Sequence, residues 1–370
     1  MKQSLSLIFL FFVFTASARK VYNVFKPGQE FHCWTCDFMK EHNLNRGDTV
    51  VISQGTYGHT VISNCFGITF QNEGQVVFNG GFNFEMPSSD NKLIGNGTPG
   101  IKYGILIKDT EYFAGRWYAW GNMEIAFVAV KKAKMGFQVK TEPDWDYKKQ
   151  PTRISIHDLL IEDVEQEMLY IGSDNLGGSY ITGGIRRVTG RRSGRDGIQV
   201  RNGNFVIEDN DLKDVGLNNE GGHQHGILIG GNSNGGTIRK NKVENAVGYG
   251  IFVNGFGNIF IECNEIINSG NSAVFTKNYE KYEDLQKTGY QKFYILNNKL
   301  HSRNLRTIEM YYDGNNGLRG EAVISNNRVN NTVYSEMKKT QQSNNGKTAK
   351  TECTVHASTA VTTKKIVRKK

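Results

Sequence analysis

Helix-like text is nearly missing from this 370-residue chain. Its apolar runs are mostly four or five residues long, and Gly- and Asn-rich turns separate them. Proline is scarce at 5 residues, whereas Gly reaches 42. Gly and Asn both tolerate left-handed backbone and tight turns, so the chain turns often. Beyond the N-terminus no apolar run is long enough to cross a bilayer as a helix. The motif Cys33-Trp34-Thr35-Cys36 has no second C-x-x-C to complete a zinc site and no βαβ text around it, so a structural role is expected. Cys65, Cys263 and Cys353 make the cysteine count odd, which leaves at least one thiol unpaired in a monomer, the expected state.

A broad basic face is missing as well. The formal net charge is +9, but from Val333 onward nine Lys/Arg face two Asp/Glu, and Lys2 adds one more positive charge. The body is left near +1, which excludes nucleic acid as the expected partner. What the N-terminus does have is an export signal: Lys2, the ten-residue apolar run Leu5–Phe14, and Ala16-Ser17-Ala18 as a small-residue cleavage site. No Cys follows that site, which argues against a lipid anchor. The expected organisation is a signal peptide over 1–18, one domain over 19–332 and a basic Thr/Lys-rich tail or cap over 333–370. The mature protein is expected to be secreted.

The body repeats itself. Gly226-Ile227-Leu228-Ile229 returns as Gly250-Ile251-Phe252-Val253, and related beats begin at Gly104, Gly136, Met168, Gly197, Ser272 and Thr307. The steps are 32, 32, 29, 29, 24, 22 and 35 residues. A second beat recurs as Asn210-Asp211-Leu212, Asn241-Lys242-Val243, Asn264-Glu265-Ile266, Asn298-Lys299-Leu300 and Asn327-Arg328-Val329, with Asp158-Leu159-Leu160 as a looser member. A strand this short cannot bury a face alone and needs a similar strand stacked on it. Stacked coils without helices between parallel strands are an all-β, single-stranded parallel β-helix. The recurrent Asn is expected at turns, in left-handed conformation, with amides hydrogen-bonded along the axis. By the strand period of two, Ile227, Ile229, Ile251 and Val253 point inward, and Leu228, Phe252 and Asn254 outward.

The repeat series from Thr152 to Val329, with "RGDTVVISQGTYG" (Arg46–Gly58) and "FGITFQNEGQVVFNGG" (Phe66–Gly81), resembles the right-handed parallel β-helix superfamily of pectate-lyase-like proteins. The likeness covers roughly residues 44–330. It implies an exported enzyme acting on a polysaccharide held along an exposed parallel sheet, with uronate lyases, hydrolases and epimerases among the known members. The N-T-D and G-H-G motifs of the galacturonan hydrolases are absent, as is the epimerase-like Y-G-x-D-P-H-D. The expectation is a lyase cleaving an acidic, uronate-containing and sometimes sulfated polysaccharide by β-elimination. A glycoside hydrolase and a non-catalytic glycan-binding solenoid are the alternatives.

β-Elimination neutralises a uronate carboxylate, removes the C5 proton and protonates the leaving oxygen, work suited to Arg, Lys, His and Tyr. The catalytic candidates are His225, Arg195, Arg201 and Tyr249. The substrate-binding candidates are Lys140, Tyr170, Gln199, His223, Asn254, Lys277, Glu309 and Tyr311, with Thr276 also placed outward. "RRSGRDGIQVR" (Arg191–Arg201), with Arg186 and Arg187 upstream, is the densest basic stretch and the expected grip on carboxylate or sulfate. No cofactor is fixed by the sequence; the carboxylates of "EPDWDY" (Glu142–Tyr147) are candidates for Ca2+. A hydrolase needs two carboxylates, and Asp174, Asp196, Glu309 and Asp313 lie near the right strands. Two aromatic segments, Asp109–Met123 and Asn278–Lys292, are expected to border the groove.

Overall fold

The computed structural model describes residues 21–118, 121–140, 152–172, 181–201, 203–231, 233–277, 290–311, 319–337, 339–349, 351 and 353. The N-terminal stretch expected to be an export signal, the Glu142–Tyr147 segment, Asp174, Asp313 and the last 17 residues lie outside these. From Thr152 onward each coil contributes three strands. The first such coil has Thr152–His157, Leu160–Val164 and Leu169–Ile171. The next repeats them as Ile181–Arg186, Thr189–Ser193 and Ile198–Arg201. The register pairs Thr152 with Ile181, Leu160 with Thr189 and Leu169 with Ile198, all in parallel. Circling the coil replaces the helical crossover that parallel strands otherwise need. The fold is a parallel β-helix.

Side-chain alternation builds its core. Ile198, Val200, Ile227, Ile229, Ile251 and Val253 are buried along one stack. Each such side chain stabilises the fold by about 1.5–3 kcal/mol relative to exposure. The stack of Leu169–Ile171, Ile198–Arg201, Ile227–Gly230, Ile251–Val253, Val274–Lys277 and Arg306–Tyr311 forms the site face. Thr276 pairs with Val253 and Met310 there, so it points inward, and Lys277 takes the outward place. The error came from counting alternation from Ser272, whereas the strand begins at Val274.

The N-terminal end is packed with rings instead of Ile and Val. Phe25, Phe38, Phe70, Phe82, Phe84 and Trp117 are buried together. Trp117 lies within the strand Ile105–Tyr118, meets Phe84 edge-on at 4.7 Å, and donates its Nε1–H to the Phe82 carbonyl at 3.1 Å. Most of the Asp109–Met123 segment is therefore a rung of the solenoid, not a wall of a cleft. Asn278–Gly289 falls outside the described residues, and Tyr290–Lys292 opens the strand Tyr290–Leu296. Cys33 and Cys36 are joined by a disulfide near this end. Ser63 Oγ and Asn64 Nδ2 both donate to the Cys36 carbonyl, at 3.0 and 2.9 Å.

At one corner the recurrent Asn residues stack. Nδ2 of Asn210, Asn241, Asn264, Asn298 and Asn327 donates to Oδ1 of the next Asn at 2.8, 3.0, 3.0, 2.9 and 3.0 Å, ending on Asn345. The second amide proton reaches a backbone carbonyl, as from Asn264 to Ile238 at 2.9 Å. The left-handed conformation belongs to the residue before each ladder Asn: Asp209, Lys240, Cys263, Asn297 and Asn326 have φ of 55–56°. The turn needs one reversed residue, and the amide that follows it then points along the axis. Val188 and Leu159 occupy the corresponding places one and two coils before Asn210 and are buried. Thr332–Ser335 and Lys339–Ser343 pair in parallel onto the preceding coil, so the ladder continues past Val333.

Candidate functional site

The residue preceding each beat of this face is polar, ionisable or aromatic in turn. Backbone N–H groups of Met168, Gly197, Gly226 and Gly250 donate to the carbonyls of Asp196, His225, Tyr249 and Ser272, at 3.2, 2.9, 3.0 and 3.3 Å. This stacks Glu167, Asp196, His225, Tyr249 and Ser272 in one column, about 4.8 Å from coil to coil. Glu167 is 2% exposed and Asp196 0%. His223, in the turn after Asn219, hangs over both carboxylates, and about a third of its side chain is exposed. Its Nδ1 lies 3.7 Å from Glu167 Oε1 and 3.7 Å from Asp196 Oδ2. Neither separation is a hydrogen bond, so the attraction is between charges.

Those charges shift the titrations. The neighbouring Asp196, then Glu167, hold the His223 imidazolium above its ordinary 6.5, against the effect of burial and of Arg195. Burial pushes the Glu167 carboxyl up, and the Asp196 charge adds to this. Glu167 Oε2 is buried without a hydrogen-bond partner. Asp196 Oδ1 accepts the His225 backbone N–H at 2.7 Å. With the Gln199 amide oriented to satisfy both its ends, that side chain donates to Asp196 Oδ2 at 3.3 Å and accepts from Arg201 Nε at 2.8 Å.

The two histidines differ sharply. His225 is 4% exposed. Its Nδ1 accepts the Tyr249 N–H at 3.4 Å, its Nε2 is buried without a partner, and burial lowers its pKa. It is a neutral ring lodged against Tyr249 and Phe252, with centroids 5.3 and 4.9 Å away. His223 is the one that reaches solvent.

Among the described residues, Glu167, Asp196 and His223 are the set whose donor atoms lie together as metal ligands would, within 4.8 Å of one another. Two carboxylates and an imidazole suit Zn2+ or Mn2+ better than the all-oxygen shell of Ca2+.

The arginine-rich stretch is mostly structural. Arg187 forks onto Asp158 at 2.7 and 2.7 Å, Arg192 onto Asp163 at 2.6 and 3.0 Å, and Arg191 reaches Asp211 at 2.6 Å. These pairs bridge neighbouring coils away from the site face, where an Arg opposite an acid one coil away is already engaged. Arg195 is at the site, but its Nε and Nη2 bind Glu220 at 2.8 and 2.6 Å, with Nη1 3.8 Å from Glu167. It tunes the cluster instead of standing open to a ligand.

The other candidates line the same face. Lys140 Nζ sits 5.2 Å over the Tyr170 ring. Arg201 pairs in register with Gly230, and Lys277 with Tyr311. Asn254 N–H donates to the Ile229 carbonyl at 2.7 Å, and its half-buried side chain follows Val253. Gly172 has φ 104°, and a Cβ there would collide with the Arg201 carbonyl, so only Gly keeps the strands this close. Further along, the face turns aromatic. Tyr249 stacks on Phe275 at 4.2 Å, and Tyr311 lies 5.5 Å from Phe275 and 5.7 Å from Tyr334. Glu309 is held there by Ser272 Oγ, Asn304 Nδ2 and Tyr311 OH at 2.5, 3.0 and 3.0 Å.

Glu167 and Glu220 escaped sequence reasoning. Glu167 had a signal: it precedes its beat as Asp196 and His225 precede theirs. Glu220 had none, because it comes from an irregular turn.

No family model and no curated protein matches this chain. Among solved structures it is similar to the catalytic domain of a GH87 alpha-1,3-glucanase, at 12% identity and TM-score 0.41, covering 80% of this chain and 64% of that one. It is also similar to the A-module of a mannuronan C-5 epimerase of Azotobacter vinelandii, at 14% identity and TM-score 0.36, covering 81% and 90%. A third is a polygalacturonase from Erwinia carotovora ssp. carotovora, at 11% identity and TM-score 0.34, covering 88% and 99%. Similarities this distant assign no activity. Among the described residues no helix is long and apolar enough to cross a membrane.

Proposed function

We propose that this protein is a secreted polysaccharide lyase that cleaves an acidic glycan by β-elimination, with His223 as the proton carrier. The observation that carries this reading is the placement of His223 at the solvent edge, with Nδ1 3.7 Å from carboxylate oxygens on two successive coils. An imidazole whose pKa lies above 6.5 takes and returns a proton near neutral pH, where general catalysis is most effective. Its neutral form removes the C5 proton of the uronate. The C–H electron pair forms the C4–C5 double bond, the C4–O bond breaks, and the imidazolium returns the proton to the leaving oxygen. Glu167 and Asp196 position the ring and balance its positive charge. Arg201 and Lys140, on outward positions of nearby coils, and Lys277, three coils beyond Arg201, counter the substrate carboxylates along the face. Tyr170, and the part of Tyr249 that Phe275 and His225 leave uncovered, offer amphipathic contact to the sugar rings.

A second reading, a glycoside hydrolase, is favoured by one observation: a carboxyl with a raised pKa, Glu167, beside a carboxylate, Asp196. Incubation with polygalacturonate, alginate and a sulfated uronate polymer separates the two. The lyase produces an unsaturated, ultraviolet-absorbing end, and His223→Ala lowers the rate by about 10²–10⁴-fold with the fold intact. New reducing ends without ultraviolet absorbance make the protein a hydrolase. Binding without cleavage leaves a non-catalytic glycan-binding solenoid. A chelator that abolishes turnover would move Glu167, Asp196 and His223 from proton transfer to metal binding.

A further inference from the structure

Cys263 and Cys353 meet on the outside of the solenoid. Cys263 is a left-handed turn residue with φ 56°, and Asn297 holds the same position on the next coil, with φ 56°. The two turns are stacked directly: Glu262 pairs with Leu296, and the Cys263 N–H donates to the Leu296 carbonyl at 3.1 Å. Cys353 comes from far along the chain, yet its Sγ lies 3.9 Å from the Asn297 carbonyl oxygen. Its sulfur therefore rests on the turn stacked directly on Cys263, and the two thiols interact side chain to side chain. Burial raises the Cys263 thiol to about 12, and the adjoining Cys353 thiol adds to the shift.

The remaining cysteines fit this pairing. Cys33 and Cys36 are already joined, and Cys65 is a fully buried free thiol that donates to Asn91 Oδ1 at 3.4 Å. Two bonds and one sequestered thiol account for the odd total of five. The path of the chain gives the pair a purpose. After Lys339–Ser343 completes the last described strand, Asn345 ends the amide ladder. Cys353 then lies back on an earlier coil, against the direction of the stack.

We propose that Cys263 and Cys353 form a disulfide that staples the C-terminal tail onto the side of the solenoid. The two thiols lose two protons and two electrons to a disulfide donor, such as an oxidised dithiol protein or glutathione disulfide. A new S–S bond forms as the donor's S–S bond is reduced to two thiols. The ring it closes holds about 90 residues, a length at which cross-linking restricts the unfolded chain strongly.

The test uses the full chain, equilibrated with glutathione disulfide, alkylated while folded, and digested without reduction. Mass spectrometry is expected to find one peptide pair joining Cys263 to Cys353. Alkylation of both residues in the folded protein would overturn the proposal, as would a disulfide-linked dimer through Cys353. Cys353→Ser, Cys263→Ser and the double variant are expected to lower Tm equally, by something on the order of 5 °C. Each should release the tail to protease, as should reduction of the wild type. Losses that add in the double variant would mean that the two thiols act separately, and the proposal would fail.

Discussion

Two columns of side chains run along the same solenoid at the same coil spacing, and their chemistry is opposite. The Asn column repeats one residue, and each amide donates to the next and to a backbone carbonyl. The column of Glu167, Asp196, His225 and Tyr249 changes residue at every step. It leaves Glu167 Oε2 and His225 Nε2 buried without partners. A satisfied buried network stiffens a structure, whereas an unsatisfied one is retained at a stability penalty. The difference distinguishes a fully bonded column from one that leaves ionisable groups unpaired.

The largest stability effect is expected where the comparison is broken on the scaffold side. Asn264→Ala strands the Asn241 backbone N–H, which donates to Asn264 Oδ1, and removes one hydrogen bond each from Asn241 Nδ2, Asn298 Oδ1 and the Ile238 carbonyl. Each stranded buried group costs about 1–3 kcal/mol, so chemical denaturation should show a loss of roughly 3–5 kcal/mol. Turnover per folded molecule should be unchanged.

Glu167→Gln is expected to do the reverse. A carboxyl whose folded pKa is raised binds its proton more tightly in the native state, so stability falls as pH rises from the unfolded pKa through the folded one. Gln removes that loss, and Tm at neutral pH should hold or rise. Activity responds differently, because proton abstraction needs neutral His223. The rate of the wild type should rise as pH passes through the raised His223 pKa, above 6.5. The stability that His223 contributes is present below its unfolded pKa and is lost over that same rise. Without the Glu167 charge the rising limb of the rate profile should move to lower pH. A Glu167→Gln protein that has lost turnover at every pH would instead support the hydrolase.

The smallest effect is expected from Arg195→Gln. Arg195 opposes protonation of His223. Its removal should move the rising limb to higher pH and leave the maximal rate nearly as it was. An unmoved limb would separate Arg195 from the cluster.

Much of this was legible in the chain. The Gly-Ile beats and the Asn-x-Leu/Val beats are one-dimensional signals of one-dimensional packing, because each coil touches only its neighbours. The same regularity fixed the inward Ile and Val residues. It failed where a strand begins later than the repeat suggests, as at Thr276, and where a rung is written in rings, as at Trp117. The site was legible only by position. His225 and Tyr249 stand before their beats and so entered as candidates. Glu167 stands in the same place and was missed, because a single acid in a charged turn carries no pattern of its own. The arginine-rich run misled because composition does not report pairing: Asp158, Asp163 and Asp211 lie 20–29 residues from the arginines they hold.

The sequence alone determined that this chain stacks short strands into a parallel coil, which residues fill its interior and where its turns lie. Period-two burial and turn chemistry are local, and they act the same in every coil. Only the tertiary structure decided which of two nearby histidines is sealed against Tyr249 and which meets solvent above two buried carboxylates. It also decided which arginines are already bound and which distant cysteine lies beside Cys263. Those outcomes depend on what the neighbouring coil places opposite each side chain, and no single coil contains that information.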